Sequence, residues 1–354
     1  MAPRGMRIAR PRSCGGYSSR MGQAGMAMPD EKSNLEGDKD VEIPRGEVLA
    51  RVLREHDLFS AQREKRVDLL KRLEEHEREG QSGKKVGCLA FFSTEAAGID
   101  SADVPAFGDA LMSLGDVDEL DLIINSPGGD GTVAEKIIEL CRAYCKEFKV
   151  IVPNRAKSAA TVVALGADEI IMGYCSELGP IDAQVPIVVS GIPRYISAQS
   201  FIDARTTLEE KFKNVIKKKE DPRAILQQIA SLDAPFIDHC EKLMEFSQEV
   251  ARKYLAKYMF SATKPAQAQK EAVDKVLKGL SSVSIFKVHG RMIDGNAAKT
   301  DLKLNVRLLA KDAPLWEDLW QYYVRADVTL SKSRHALKLI ETRNTVLIQG
   351  MRME

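Results

Sequence analysis

The chain has 354 residues, with 52 Lys and Arg against 51 Asp and Glu and a formal net charge of +1. At about 150 residues per domain, that length fits two domains or one large domain with extensions. A hydrophobic share of 44% and a charged share of 29% suit a soluble globular protein, and the charge balance excludes a chain built overall to coat nucleic acid or an anionic membrane.

The charge is unevenly spread. Arg4, Arg7, Arg10, Arg12 and Arg20 precede the first acid, Asp30. With no apolar periodicity, residues 1–45 are expected to be a disordered basic tail. An Arg-rich, acid-poor start also resembles an organelle transit peptide. A translation start at Met26 or Met28 is the other alternative. Residues 46–80 predict a helical arm, from clusters at Val48, Leu49, Val52 and Leu53 and at Val67, Leu69, Leu70 and Leu73. That arm serves either oligomerisation or packing on the body.

Val86–Phe92 is an apolar run of strand length, followed by a helix over Ala102–Leu114 and a strand over Leu120–Asn125. Thr132–Lys146 predicts an amphipathic helix, Phe148–Val152 a strand, Ser158–Leu165 a helix of small residues and Glu169–Met172 another strand. Strands alternating with helices at this pitch imply an α/β fold with parallel strands joined by crossovers. Helices are then expected over Ser197–Lys219, Ala230–Phe260 and Ala266–Leu280, a strand over Val283–Val288, and apolar alternation over Leu302–Leu308. A last helix covers Trp316–Asp327 and a last strand Thr345–Gln349. No run approaches 18 apolar residues, so no membrane span is expected. None of the six cysteines forms a CxxC pair. Cys141 and Cys145, four apart in a helical pattern, are expected to share a face. Buried free thiols in a reducing cytosol are the preferred reading, with a structural zinc site as the alternative.

Two short motifs carry chemistry. Ser126-Pro-Gly-Gly-Asp130 joins a buried strand to a helix, and paired glycines let backbone N–H groups approach an anion or a polarised carbonyl. The plain alternative is a tight turn. Ala156-Lys-Ser-Ala-Ala-Thr161 puts Ser158 at a helix start, either as an N-cap or as a nucleophile. From Gly129 to Ser158 is 29 residues, the size of one βαβ crossover. Neighbouring parallel strands would therefore deliver Gly128, Gly129 and Ser158 to one edge of a sheet.

Together with Ala167-Asp-Glu-Ile170 and Ser176-Glu-Leu-Gly-Pro-Ile-Asp182, these motifs resemble the serine dehydrogenase proteinase (SDH) family. That family is related to the Clp protease proteolytic subunit and to signal peptide peptidase A, within the Clp/crotonase-like superfamily. The strong part of the match covers about residues 86–185. The resemblance implies a spiral of ββα units, often in a ring-like homo-oligomer, and peptide hydrolysis by a serine nucleophile. By it Ser158 is the nucleophile, and the N–H groups of Gly128 or Gly129 and of Ala159 form the oxyanion hole. The Clp-type histidine is missing, since its place falls at Ile181 and Asp182. Signal peptide peptidases use a lysine, but no lysine lies between Lys157 and Lys211. The Ser, Asp, His order thought to hold in the SDH family points to Asp182 as orienting group and to His289, at the end of a strand-like run, as base. His239 and His335 are the competing histidines, and His239 also reads as an ordinary helix-face residue.

The expected protein is an α/β, Clp/crotonase-like cytoplasmic serine endopeptidase acting on peptides or proteins, without cofactor, metal or nucleic acid. Its peptidase domain spans 81–310, with a helical insertion and a C-terminal helix and strand extension at 311–354. One rival is an acyl-CoA hydratase or isomerase of the same fold, with Glu177 and Asp182 as its carboxylates. The other is a catalytically inactive scaffold.

Overall fold

The computed structural model describes residues 59–189, 192–281, 292–333 and 335–350. The basic tail, residues 46–58, the expected strand Val283–Val288 and His289 lie outside the described residues.

Helix α1 (Phe59–Arg78) leads into β1 (Val86–Ser93), α2 (Asp103–Leu114) and β2 (Val117–Asn125). Helix α3 (Gly131–Ala143) and β3 (Cys145–Val152) follow, then a two-residue strand β4 (Arg155–Ala156) and α4 (Ala159–Leu165). Next come β5 (Glu169–Met172), β6 (Glu177–Leu178) and the hairpin β7 (Gln184–Val189) and β8 (Ile192–Ser197). Four helices succeed it: α5 (Ala198–Lys218), α6 (Arg223–Ala230), α7 (Ala234–Lys257) and α8 (Ala266–Ser281). The final elements are β9 (Ile293–Asp294), α9 (Gly295–Thr300), β10 (Val306–Leu308), α10 (Pro314–Lys332), β11 (Ala336–Thr342) and β12 (Val346–Gly350).

Seven strands form the main sheet in the order β10-β5-β3-β2-β1-β11-β12. The run from β10 to β1 is parallel, and β11 and β12 add antiparallel to β1. Leu122 of β2 stands between Leu89 of β1 and Val150 of β3. Every residue of β1 is buried because helices cover both faces of the sheet. Leu89, Phe91, Leu120, Leu122, Phe148 and Val150 point to the layer of α2, α3, α4, α7 and α8. The alternate residues Cys88, Ala90, Phe92, Ile123 and Ile151 meet Leu69, Leu70 and Leu73 of α1 and Trp316, Leu319 and Tyr322 of α10. The short strands β4, β6 and β9 make a second sheet, so β3-β4-α4 is one ββα unit and β5-β6 repeats its strand pair. The fold is the α/β class expected from the strand and helix alternation.

Some boundaries differ. Cys145 begins β3 instead of ending a helix, so it does not share a helical face with Cys141; its thiol lies 3.2 Å from the Cys141 carbonyl oxygen. The helix expected over Ala230–Phe260 breaks at Ser231 to Asp233, where the Asp233 carboxylate accepts from the Phe236 N–H at 3.1 Å and starts α7. The segment set apart as a C-terminal extension places β11 directly against β1, inside the main sheet.

Candidate active site

Beyond Asn125 the chain turns through Ser126-Pro-Gly-Gly-Asp130 into α3, where the Asp130 carboxylate caps the helix by accepting from the Thr132 N–H at 2.7 Å. Gly128 and Gly129 hold φ of 109° and 144°, which L side chains rarely adopt. A Cβ on Gly128 would lie 2.6 Å from both the Ser158 Cβ and the Lys157 carbonyl oxygen, and one on Gly129 would lie 2.3 Å from the Ile99 nitrogen. Glycine is therefore needed at both places, because the turn is packed against the neighbouring loops.

The loop after β3 runs beside this turn. The Ser126 N–H donates to the Arg155 carbonyl at 3.1 Å and the Lys157 N–H to the Ser126 carbonyl at 3.1 Å. These bonds continue the parallel pairing past the ends of β2 and β3 and bring Ser158 to Gly128, as the spacing of one crossover predicts.

Ser158 is 4% exposed and holds φ 48° and ψ −121°. A non-glycine residue there carries about 1–3 kcal/mol of strain. Strained strand-to-helix turns of this kind hold a serine hydroxyl out from the backbone. Ser158 stands at the N-cap position of α4, but its side chain makes no capping bond. Instead its Oγ donates to the Asp182 carbonyl at 3.3 Å. Its N–H donates to the Pro180 carbonyl at 3.1 Å, and the Gly179 N–H to the Ala156 carbonyl at 2.9 Å. These bonds tie the Gly179-Pro-Ile-Asp182 turn beneath the serine.

Of the three expected backbone donors, the Gly128 N–H is taken by the Ser126 Oγ at 3.2 Å. The Gly129 and Ala159 N–H groups have no acceptor among the described residues. Gly128, Gly129, Ser158 and Ala159 line one cleft of about 860 Å³, whose apolar wall includes Leu243 and Phe246 of α7.

Asp182 is buried, and its Oδ2 accepts from the Ser197 Oγ at 2.6 Å. Lys157, beside the serine, is ion-paired to Glu177 at 2.8 Å, which engages one carboxylate of the hydratase alternative. His335 is exposed before β11 and does not line the cleft. His239 does line it. The spacing of His239, Leu243, Phe246 and Ser247 gives one face of α7, and all four line the cleft. That helical stripe was legible in the sequence, but which way it faced was not.

A second polar cluster lies on the opposite face of the sheet. Glu77, Glu119 and Asp121 offer oxygens within 4.8 Å of one another, a donor set suited to a hard divalent cation. Three cationic side chains already occupy it. Lys149 reaches Glu119 at 2.7 Å and Glu77 at 3.1 Å, Arg307 reaches Glu77 at 2.7 Å, and Lys84 reaches Glu119 at 2.7 Å. With Glu147 beside Lys84 and Glu169 at 3.3 Å from Arg307, these three cations are shared among four carboxylates. Burial, reinforced by Glu119 and Glu77, pushes the Asp121 carboxyl well above the usual carboxylate range.

The site lies within the segment that comparison with known families picks out. Residues 101–211 match the family model of ClpP-like SDH-type serine proteinases. The match contains Gly128, Gly129, Ser158, Ala159 and Asp182 and stops short of His239 and His289. Two uncharacterized proteins of Methanocaldococcus jannaschii are similar. MJ0137 is 46% identical over 66 residues, covering 19% of this chain and 23% of its own, and MJ1495 is 32% identical over 105 residues, covering 29% and 36%. The chain thus spans well under half the length of the curated relatives it matches. Two solved structures of the 1510-N membrane-bound stomatin-specific protease align at 12% identity. A lysine-to-alanine mutant with a substrate peptide covers 69% of this chain and 99% of its own at a TM-score of 0.30. A serine-to-alanine mutant covers 64% and 97% at 0.29.

Proposed function

We propose that this protein is a serine peptidase that cleaves peptide bonds through an acyl-enzyme. One observation carries the reading: the strained, uncapped Ser158 hydroxyl stands in a cleft beside two backbone donors, Gly129 and Ala159, that have no acceptor among the described residues. Ser158 Oγ attacks the scissile carbonyl and passes its proton to a histidine. The tetrahedral oxyanion is held by the Gly129 and Ala159 N–H groups. The histidine returns the proton to the leaving amine, and water then hydrolyses the ester. Gly128 supplies close packing against Ser158, while its N–H stays with Ser126.

The proposed base is His289, oriented by Asp182, as the family resemblance implies. A second reading makes His239 the base, and its place in the cleft wall favours it. Endopeptidase action by a cytoplasmic homo-oligomer belongs to the same proposal and rests on the resemblance. The hydratase alternative is disfavoured because Glu177 is held by Lys157 and the Asp182 Oδ2 accepts from Ser197.

A fluorophosphonate probe tests the proposal. Wild-type protein should be labelled at Ser158, and Ser158→Ala should not be. Ester hydrolysis should fall by about three orders of magnitude or more in that variant. A folded protein that resists the probe, or a variant that keeps its turnover, would refute the peptidase reading. His289→Ala and His239→Ala, compared for labelling rate, identify the base by which one abolishes it.

A further inference from the structure

The α5–α6 hairpin stands outside the core. Among the 21 residues of α5 only the first, Ala198, is buried, and α6 has no buried residue. Its apolar side chains are nevertheless numerous. Phe212, Val215, Ile225 and Ile229 are half-buried, and Ile216 and Leu226 are 52% and 45% exposed. Exposed apolar groups gathered at one end of an element mark an interaction surface.

The charge at this end narrows the partner. Residues 211–219 contain five lysines, Lys211, Lys213, Lys217, Lys218 and Lys219, and of the four acids that flank the run Glu209 is paired to Arg205 and Asp221 to Arg223, which leaves Glu210 and Glu220 against five lysines. All five are exposed, and none has an ion-pair partner among the described residues. Favourable interaction with the C-terminal end of α5 accounts for Lys217 and Lys218 alone. A symmetric contact with a second copy would set lysines against lysines. An interface that is both basic and apolar fits a bilayer, where apolar side chains enter the acyl boundary and cations meet anionic headgroups.

We propose that the α5–α6 hairpin docks this protein on an anionic lipid bilayer, inserting Ile216 and Leu226 beneath a collar of lysines. The near-neutral charge of the whole chain does not oppose this, because surface attraction acts within about 10 Å at moderate salt and so reads the local charge. The proposal is independent of the catalytic reading.

Full-length protein would be sedimented with vesicles of phosphatidylcholine and phosphatidylserine in a roughly two-to-one ratio, and with vesicles of phosphatidylcholine alone. Binding should require phosphatidylserine and weaken as salt rises. The Lys217→Glu/Lys218→Glu/Lys219→Glu variant should bind about a hundredfold more weakly, because each of the three lysines contributes about a factor of five near the surface. Ile216→Ser/Leu226→Ser should bind about tenfold more weakly or worse. Thermal melting of each variant reports whether it folds, and since no substituted residue is buried both should match the wild type. Failure to bind anionic vesicles, equal binding to phosphatidylcholine alone, or undiminished binding by the lysine variant would overturn the proposal. The last outcome would move the binding to another part of the chain, such as the Arg-rich tail. Self-association abolished by Ile216→Ser/Leu226→Ser, without vesicle binding, would assign the surface to a second copy.

Discussion

Asp121 lies in β2 with both carboxylate oxygens buried and without a hydrogen-bond partner among the described residues. Desolvation comes first among the causes that raise its pKa, followed by the charges of Glu119 and Glu77. The folded state therefore holds the Asp121 proton more tightly than the unfolded chain, whose ordinary value is 3.8. The sign follows: this group's contribution to stability is fully present below about pH 4 and is lost as pH rises toward the folded value. Asp121→Asn keeps the shape and removes the charge. Thermal melting should show the variant gaining on the wild type from about pH 4 to pH 8, with an advantage of about 1–3 kcal/mol at the upper end. A wild type more stable than the variant at about pH 8 would show Asp121 to be charged and paired there. Ser158 shows what a single residue can and cannot reveal. Its place at a helix start was legible, but N-cap and nucleophile have the same residue preference. The backbone angles and the missing capping bond separate them.

At the scale of elements, the alternation of β1 to β5 with helices was readable because buried parallel strands form apolar runs of characteristic length. The hairpin β7–β8 was missed because Pro186 and Pro193 interrupt its strands. A two-stranded ribbon accepts them, since each strand has one edge that needs no N–H donor. Strand β11 was missed because its main support is antiparallel pairing with β1, roughly 250 residues away. Among site residues, Gly128, Gly129 and Ser158 were legible because one crossover fixes their edge of the sheet. The cleft position of His239 depends on how α7 packs, which no local pattern specifies. The contact of the two loops gives a sharp test. Gly128→Ala forces a Cβ against Ser158 and the Lys157 carbonyl at a φ of 109°. It should slow fluorophosphonate labelling about a hundredfold, because a displacement of about 1 Å at a reacting group costs that much. Gly108→Ala in α2, where a Cβ meets nothing within 4 Å, should leave labelling unchanged and raise stability by up to about 1 kcal/mol. Equal labelling of all three proteins would show that the glycine turn does not position the serine.

Across the whole molecule, the two ends of the described chain are joined by one buried charge cluster. Glu341 of β11 accepts from Arg66 of α1 at 2.8 and 3.1 Å, from Arg63 at 2.6 Å and from the Tyr322 hydroxyl of α10 at 2.8 Å. The side chains of Arg66 and Glu341 are both fully buried, although 275 residues separate them. The cluster fastens α1 and α10 to the same sheet face while β11 extends β1, so the elements flanking the motif-bearing segment form part of one core. Removing one partner from a buried pair strands the other charge, which costs about 3–5 kcal/mol. Glu341→Ala should therefore shift the urea midpoint down by an equivalent amount. Replacing the pair by apolar groups in Arg66→Met/Glu341→Leu removes both buried charges, so the double variant should unfold at higher urea than Glu341→Ala. The cluster lies across the sheet from the Ser158 cleft, so the folded fraction of either variant should keep its labelling rate. A double variant less stable than the single would show that the polar contacts to Arg63, Tyr322 and Thr329 outweigh the buried charge, and that the ends are held by that network as a unit.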